Sequence, residues 1–294
     1  MVVNAFFMSL LYVIVKILTR NFGFTSSQVG LLYKLSILVL TIMSCVKMGF
    51  VMHLKTDKFL VHALRGFFSI MGSLSMFYAV SVMNVLNAAA ISELTPTFMV
   101  LAGVLLFKEK MNSPKLILLI GSTIGIIFIE NFRTLSHGID EGHFFAFLAL
   151  IFWSINNVIV KQLTKTERSR AQLFYSSLFA AIFASPFAFF QFNIDIQELS
   201  IVASPSRWPS FTNQSILLIL SAGVASLLHK FSFFRAYKLS DMSVVGPFDY
   251  LRLPFTGIFA YIVFGETIKD TYSLIGYACI ILSGMYFIMY RNKN

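Results

Sequence analysis

Apolar runs of roughly 18 to 23 residues recur along the chain, each bounded by charges, Pro, Asn or Gly, and a helix of that length crosses the ~30 Å hydrocarbon core of a bilayer. Placing one helix on each run predicts spans near 2–19, 27–50, 61–82, 85–107, 114–130, 143–162, 171–191, 214–236, 242–264 and 271–290. The longest connection, 192–213, carries Asp195, Glu198, Pro205, Arg207, Trp208 and Pro209, a polar mixture whose aromatic suits the membrane interface. The expected fold is all-α and integral to the membrane, with ten transmembrane helices and no water-soluble domain.

The pattern also repeats. Residues 13–19 (VIVKILT) return as 158–164 (VIVKQLT), six identities in seven. An ungapped match at an offset of 157 pairs Phe77 with Phe234, Ala79 with Ala236, Leu94 with Leu251, Phe98 with Phe255, Phe107 with Phe264 and Glu109 with Glu266. Both matches join helix n to helix n+5, which divides the chain into related units at 1–130 and 143–290. An odd number of helices per unit turns the second copy upside down in the membrane, the plan of many secondary transporters that rock about a midplane site.

Composition agrees with lipid as the solvent. At 57% hydrophobic and 12% charged, with mean hydropathy +0.78, the 294-residue chain lacks the polar groups to cover a water-facing surface, since a soluble domain is about 25% charged. The net charge of +10 sits in short connections instead of clustering on one face, which argues against a nucleic-acid partner and for topology and lipid contact. With the N-terminus inside, the cytoplasmic connections hold Lys47, Lys55, Lys58, Lys108, Lys110, Lys115, Lys161, Lys165, Arg168, Arg170, Arg235, Lys238, Arg291 and Lys293, fourteen cations. The opposite side holds four, Arg20, Arg133, Arg207 and Lys269, so both termini are expected in the cytoplasm. Cys45 and Cys279 lie in apolar segments and read as packing residues, and the N-terminus reads as a retained first helix, not a signal peptide.

Candidate chemistry follows from ionisable and polar groups that the spans carry toward the bilayer centre, where they are costly unless they face a cavity or a partner. In the predicted ninth helix, Asp249 and Arg252 stand i,i+3 and can neutralise each other, while Pro247 and Pro254 free nearby carbonyls. The alternative is a structural ion pair bracing a kinked helix. Glu93, in the middle of the fourth span, aligns with Tyr250 in the repeat; it suits a cationic group or a proton, or else pairs with Arg65, Lys34 or Lys230. Trp153, Asn156 and Asn157 offer an aromatic face and amides that serve a ligand or a neighbouring helix equally well, and Tyr78, Tyr175 and His229 are weaker candidates of the same kind. His62 and Arg65 are expected near the headgroups. Gly121/Gly125 and Gly276/Gly284 read as a close-packing face, within one chain or between the two chains of a homodimer.

Neither GxxxxGK[ST], HExxH, CxxC nor GxSxG occurs, which removes ATP-driven pumping within this chain and leaves an unrecognised membrane enzyme or a channel as the competing classes. Ten helices, the five-plus-five repeat, a Lys closing each unit's first helix, and FKE and FGE closing each unit's fourth together resemble the drug/metabolite transporter superfamily, EamA family. The stretch from Pro247 to Pro254 (PFDYLRLP) and 62–66 (HALRG) are similar to a bacterial subgroup of S-adenosylmethionine, riboflavin and amino-acid carriers. The resemblance implies a central cavity lined from both units, a small-molecule substrate and no cofactor. On it, Glu93, Trp153, Asn156, Asn157, His229, Asp249, Tyr250 and Arg252 are expected to line a midplane site for a zwitterionic or cationic metabolite with a planar or apolar portion.

Overall fold

The computed structural model describes residues 1–46, 56–108, 110–129, 140–195, 200–239, 245–268 and 271–290. Its helices are α1 (Val2–Phe22), α2 (Ser26–Val46), α3 (Phe59–Val82), α4 (Val85–Ser92), α5 (Thr95–Phe107), α6 (Ser113–Ile129), α7 (Glu141–Thr164), α8 (Ser169–Phe189), α9 (Asn213–Leu239), α10 (Arg252–Phe264) and α11 (Thr271–Tyr290). A 3-10 turn, Gly246–Leu251, leads into α10. Among the described residues, eight segments are long and apolar enough to cross a membrane: α1, α2, α3, α4 with α5, α7, α8, α9 and α11. This is an integral membrane protein, and its outward faces carry exposed apolar side chains such as Leu116, Ile120, Leu217, Leu274 and Leu282.

Two expected single helices are broken, and proline accounts for both. Pro96 has no N–H to give to the carbonyl of Ser92, so α4 stops there; the Thr95 hydroxyl takes that carbonyl instead, at 2.6 Å. The break leaves Glu93 and Leu94 between α4 and α5, with Glu93 wholly buried. In the second case Pro254 falls in the first turn of α10, where a missing donor does no harm, and the residues before it take the tighter 3-10 form.

The connection after α8 is not irregular. Residues 190–195 (FQFNID) alternate apolar and polar, the period of a strand, and they form β1 (Phe190–Asp195) antiparallel to β2 (Ser200–Pro205), with Phe190 opposite Pro205. Trp208 packs beyond the hairpin against Phe189, ring centroids 5.5 Å apart. Of the residues used to assign orientation, Lys47, Lys55, Arg133, Lys269, Arg291 and Lys293 lie outside the described residues, as do Glu109 and Glu198.

Packing runs between distant parts of the chain. α1 packs on α9 and α10, α3 on α7 and α8, α2 on α8 and α9, α4 on α10 and α7, and α6 on α11. The α6/α11 contact is as close as backbones allow: a Cβ on Gly276 would sit 2.5 Å from the carbonyl oxygen of Gly125, and one on Gly125 would sit 2.7 Å from that of Gly276. Of the glycines read from the sequence as a packing face, Gly121, Gly125 and Gly276 thus join two helices of the same chain, while Gly284 meets the Tyr250 ring.

Candidate functional site

Helical spacing assembles a central polar cavity from both ends of the chain. On α3, Arg65, Ser69 and Ser73 recur every fourth residue and form one stripe, continued by Phe77. Across from it, α7 presents Trp153, Asn156, Asn157 and Val160, and α9 presents Ser226, His229, Lys230, Phe233 and Phe234. Asn4 and Met8 of α1, Asp249 of the 3-10 turn and Arg252 at the start of α10 close the wall.

The ionised groups are wired differently from the expectation. Arg252 does not pair with Asp249: its Nε lies 2.8 Å from Glu93 Oε1, and its Nη1 donates to Tyr12 Oη at 3.1 Å. Asp249 instead accepts from the Asn4 side-chain amide at 2.8 Å. The reason is burial. Glu93 has no exposure and no water-facing alternative, so it gains most from the guanidinium, whereas Asp249 faces the cavity and has an amide donor. The ion pair is held by charge more than by alignment, because neither Glu93 oxygen has a hydrogen-bond partner among the described residues.

Of the eight residues expected at the site, Trp153, Asn156, Asn157, His229, Asp249 and Arg252 lie on the cavity wall. Glu93 and Tyr250 lie behind it. Tyr250 stacks over Gly284, with its hydroxyl 3.3 Å from Thr97 Oγ1. The Asn156 amide donates to Asn157 Oδ1 at 3.2 Å, and His229 Nδ1 donates to the Asn4 carbonyl at 3.3 Å. Tyr78 and Tyr175 are away from the cavity, the first donating to Glu141 Oε2 at 2.5 Å and the second beside His62.

His62 and Arg65, expected near the headgroups, do not snorkel outward: both are buried inside the protein, and Arg65 is part of the cavity wall. Its guanidinium rests 4.6 Å over the Phe234 ring and donates through Nη1 to the carbonyl and Oε1 of Gln172, at 3.2 and 3.1 Å. The Arg65/Ser69/Ser73 stripe is the signal that marks this residue, because polar groups at i, i+4 and i+8 of an apolar helix must share a polar environment. Asn4, a lone amide in the first turn of α1, carries no such signal.

The sequence matches the EamA-like transporter family over residues 1–130 and 140–290. It is 26% identical to the S-adenosylmethionine uptake transporter of Rickettsia bellii over 82% of this chain and 76% of that protein. It is 24% identical to the riboflavin transporter of Vibrio cholerae over 93% of this chain and 86% of that protein. A solved crystal structure superposes on 99% of this chain and 98% of its own, with a TM-score of 0.69 at 16% identity, and so shares the fold.

Proposed function

The chain belongs to the EamA-like transporter family, and from that premise we propose that it is a secondary carrier that moves a small polar metabolite across a bacterial cytoplasmic membrane by alternating access. The observation that carries this reading is the cavity itself, a polar chamber in an apolar bundle, walled by α1 and α3 from one end of the chain and by α7, α9 and α10 from the other. Cargo would contact Trp153, Asn156, Asn157, His229, Asp249 and Arg252, with Glu93 and Tyr250 acting from behind the wall. S-adenosylmethionine and riboflavin, named for the relatives, are the first substrates to try, and amino acids follow from the resemblance of residues 247–254 and 62–66.

The moving parts in this reading are two inverted five-helix units, 1–130 and 143–290. Support comes from helix pairing, with α4 and α5 counted as the fourth span and the 3-10 turn with α10 as the ninth. The contact of the first span with the eighth then has its counterpart in the third with the sixth, and the first with the ninth in the fourth with the sixth. The contacts of second with seventh, fourth with ninth and fifth with tenth map onto themselves. Polar contacts follow suit: Lys16 Nζ donates to the Met83 carbonyl at 2.9 Å and Lys161 Nζ to that of Tyr237 at 3.4 Å, each near the end of the third helix of its own unit.

Counterflow in proteoliposomes tests the carrier. A preloaded substrate should accelerate saturable uptake of its labelled form; flux that rises linearly with concentration would make the protein a channel, and chemical conversion of the substrate would make it an enzyme. Orientation has a separate test. With Cys45 and Cys279 replaced, a cysteine at the exposed Ser210 should react with an impermeant maleimide from outside the cell alone, and labelling from the cytoplasmic side would reverse the assignment of both termini.

A further inference from the structure

We infer that the cavity contains an anion seat, built from Arg65 and Lys230 with Lys34 behind them, that receives a carboxylate or phosphate group of the transported metabolite. This rests on the carrier reading for the identity of the occupant, and on the cavity alone for the seat.

Charge is the first argument. Arg65 and Lys230 line the chamber, and Lys34, itself buried, reaches it by donating to the lining Ser69 hydroxyl at 3.0 Å. Among the described residues no carboxylate lies within 4 Å of any of the three. The acidic groups nearest the chamber are engaged elsewhere, Glu93 with Arg252 and Asp249 with Asn4. The three cations are also close enough to repel one another. An arginine stays protonated in a protein, so Arg65 keeps a charge with no carboxylate beside it among the described residues.

Geometry is the second. Arg65 is only 1% exposed, is fixed over Phe234 and anchored by Nη1 to Gln172, yet its Nε has no partner among the described residues. A guanidinium held at one edge with another donor free is arranged for a planar acceptor such as a carboxylate, or for a phosphate oxygen. Asn156 Oδ1 and Ser226 Oγ, which belong to residues lining the same chamber, are likewise without partners among the described residues, so the chamber as a whole is short of polar contacts that a ligand would supply. This differs from a site built around the Glu93 carboxylate: the free charge facing the cargo is positive at the Arg65 end.

The test uses inorganic phosphate as the probe. For purified full-length protein in neutral detergent, sodium phosphate should raise the melting temperature above that in sodium chloride at equal ionic strength. In Lys230→Gln the rise should fall by more than half, while the exposed Lys238→Gln should keep it. Phosphate also stabilises proteins by exclusion from their surfaces, and that component is the same in all three. No rise in the wild type, or an equal rise in Lys230→Gln, overturns the seat. Should Lys230→Gln not fold, wild-type protein decides: riboflavin 5′-phosphate should shift the melting temperature more than riboflavin, and S-adenosylmethionine more than its decarboxylated form, and equal shifts in both pairs overturn the seat. A phosphate response without counterflow keeps the seat and removes the carrier; counterflow without a phosphate response does the reverse.

Discussion

Glu93→Gln is expected to destabilise the protein by about 3–5 kcal/mol, the range for removing one partner of a buried ion pair. The substitution is nearly isosteric, so packing changes little. What changes is that Arg252, 7% exposed, keeps its charge and loses the opposing carboxylate, with the Tyr12 hydroxyl its one hydrogen-bond partner among the described residues. The break between α4 and α5 loses its anchor to α10 at the same time, because the ion pair is what crosses from one to the other. The double variant Glu93→Gln/Arg252→Gln should recover most of the loss, since two neutral amides leave no charge stranded. Unfolding of the purified protein in detergent measures both. The apparent affinity of the surviving protein for its substrate should stay close to wild type, because Glu93 lies behind the cavity wall. A variant of normal stability that has lost affinity would place Glu93 in contact with the cargo after all.

Which contacts the sequence discloses depends on how local their cause is. Span boundaries depend on the length of an apolar run, and the predicted 61–82 and 271–290 lie within two residues of the observed α3 and α11. The break at Glu93 was readable from Pro96, and the β1/β2 hairpin from the alternation in FQFNID, two short-period signals hidden by treating the chain as helices and loops. Charge pairing is another matter. Asp249 and Arg252 share a helix face, which is a local fact, but which acid takes the guanidinium depends on Glu93 arriving from a segment 159 positions away with no other partner. Arg65 shows the same limit. Its place near the start of α3 points to the headgroups, whereas α8 packs over it and supplies Gln172.

Lys16 and Glu266 provide the second large effect, and it bears on motion. Their side chains form an ion pair between the end of α1 and the turn after α10, where Gly265 in the left-handed region (φ 65°) ends the helix. Glu266 Oε2 also accepts from the Val85 backbone N–H at 3.0 Å, and Lys16 Nζ donates to the Met83 carbonyl, so one pair ties α1, α10 and the α3–α4 turn together. In the proposed carrier this knot joins the two units at the external end of the cavity, and the chamber cannot open outward until it breaks. Lys16→Met removes the cation but keeps an apolar stem against Phe264, over which Lys16 Nζ sits at 5.2 Å. Losing charged hydrogen bonds of this kind is worth about 1–3 kcal/mol, which should move the balance toward the outward-open form by about 5- to 150-fold. The readout is a cysteine at Ser226, on the cavity wall, in protein lacking Cys45 and Cys279. Its labelling by an impermeant maleimide from outside should accelerate in Lys16→Met, and Glu266→Gln should accelerate it less, because the amide still accepts from Lys16. If neither variant changes the rate while both melt earlier, the knot braces the fold and does not gate the cavity.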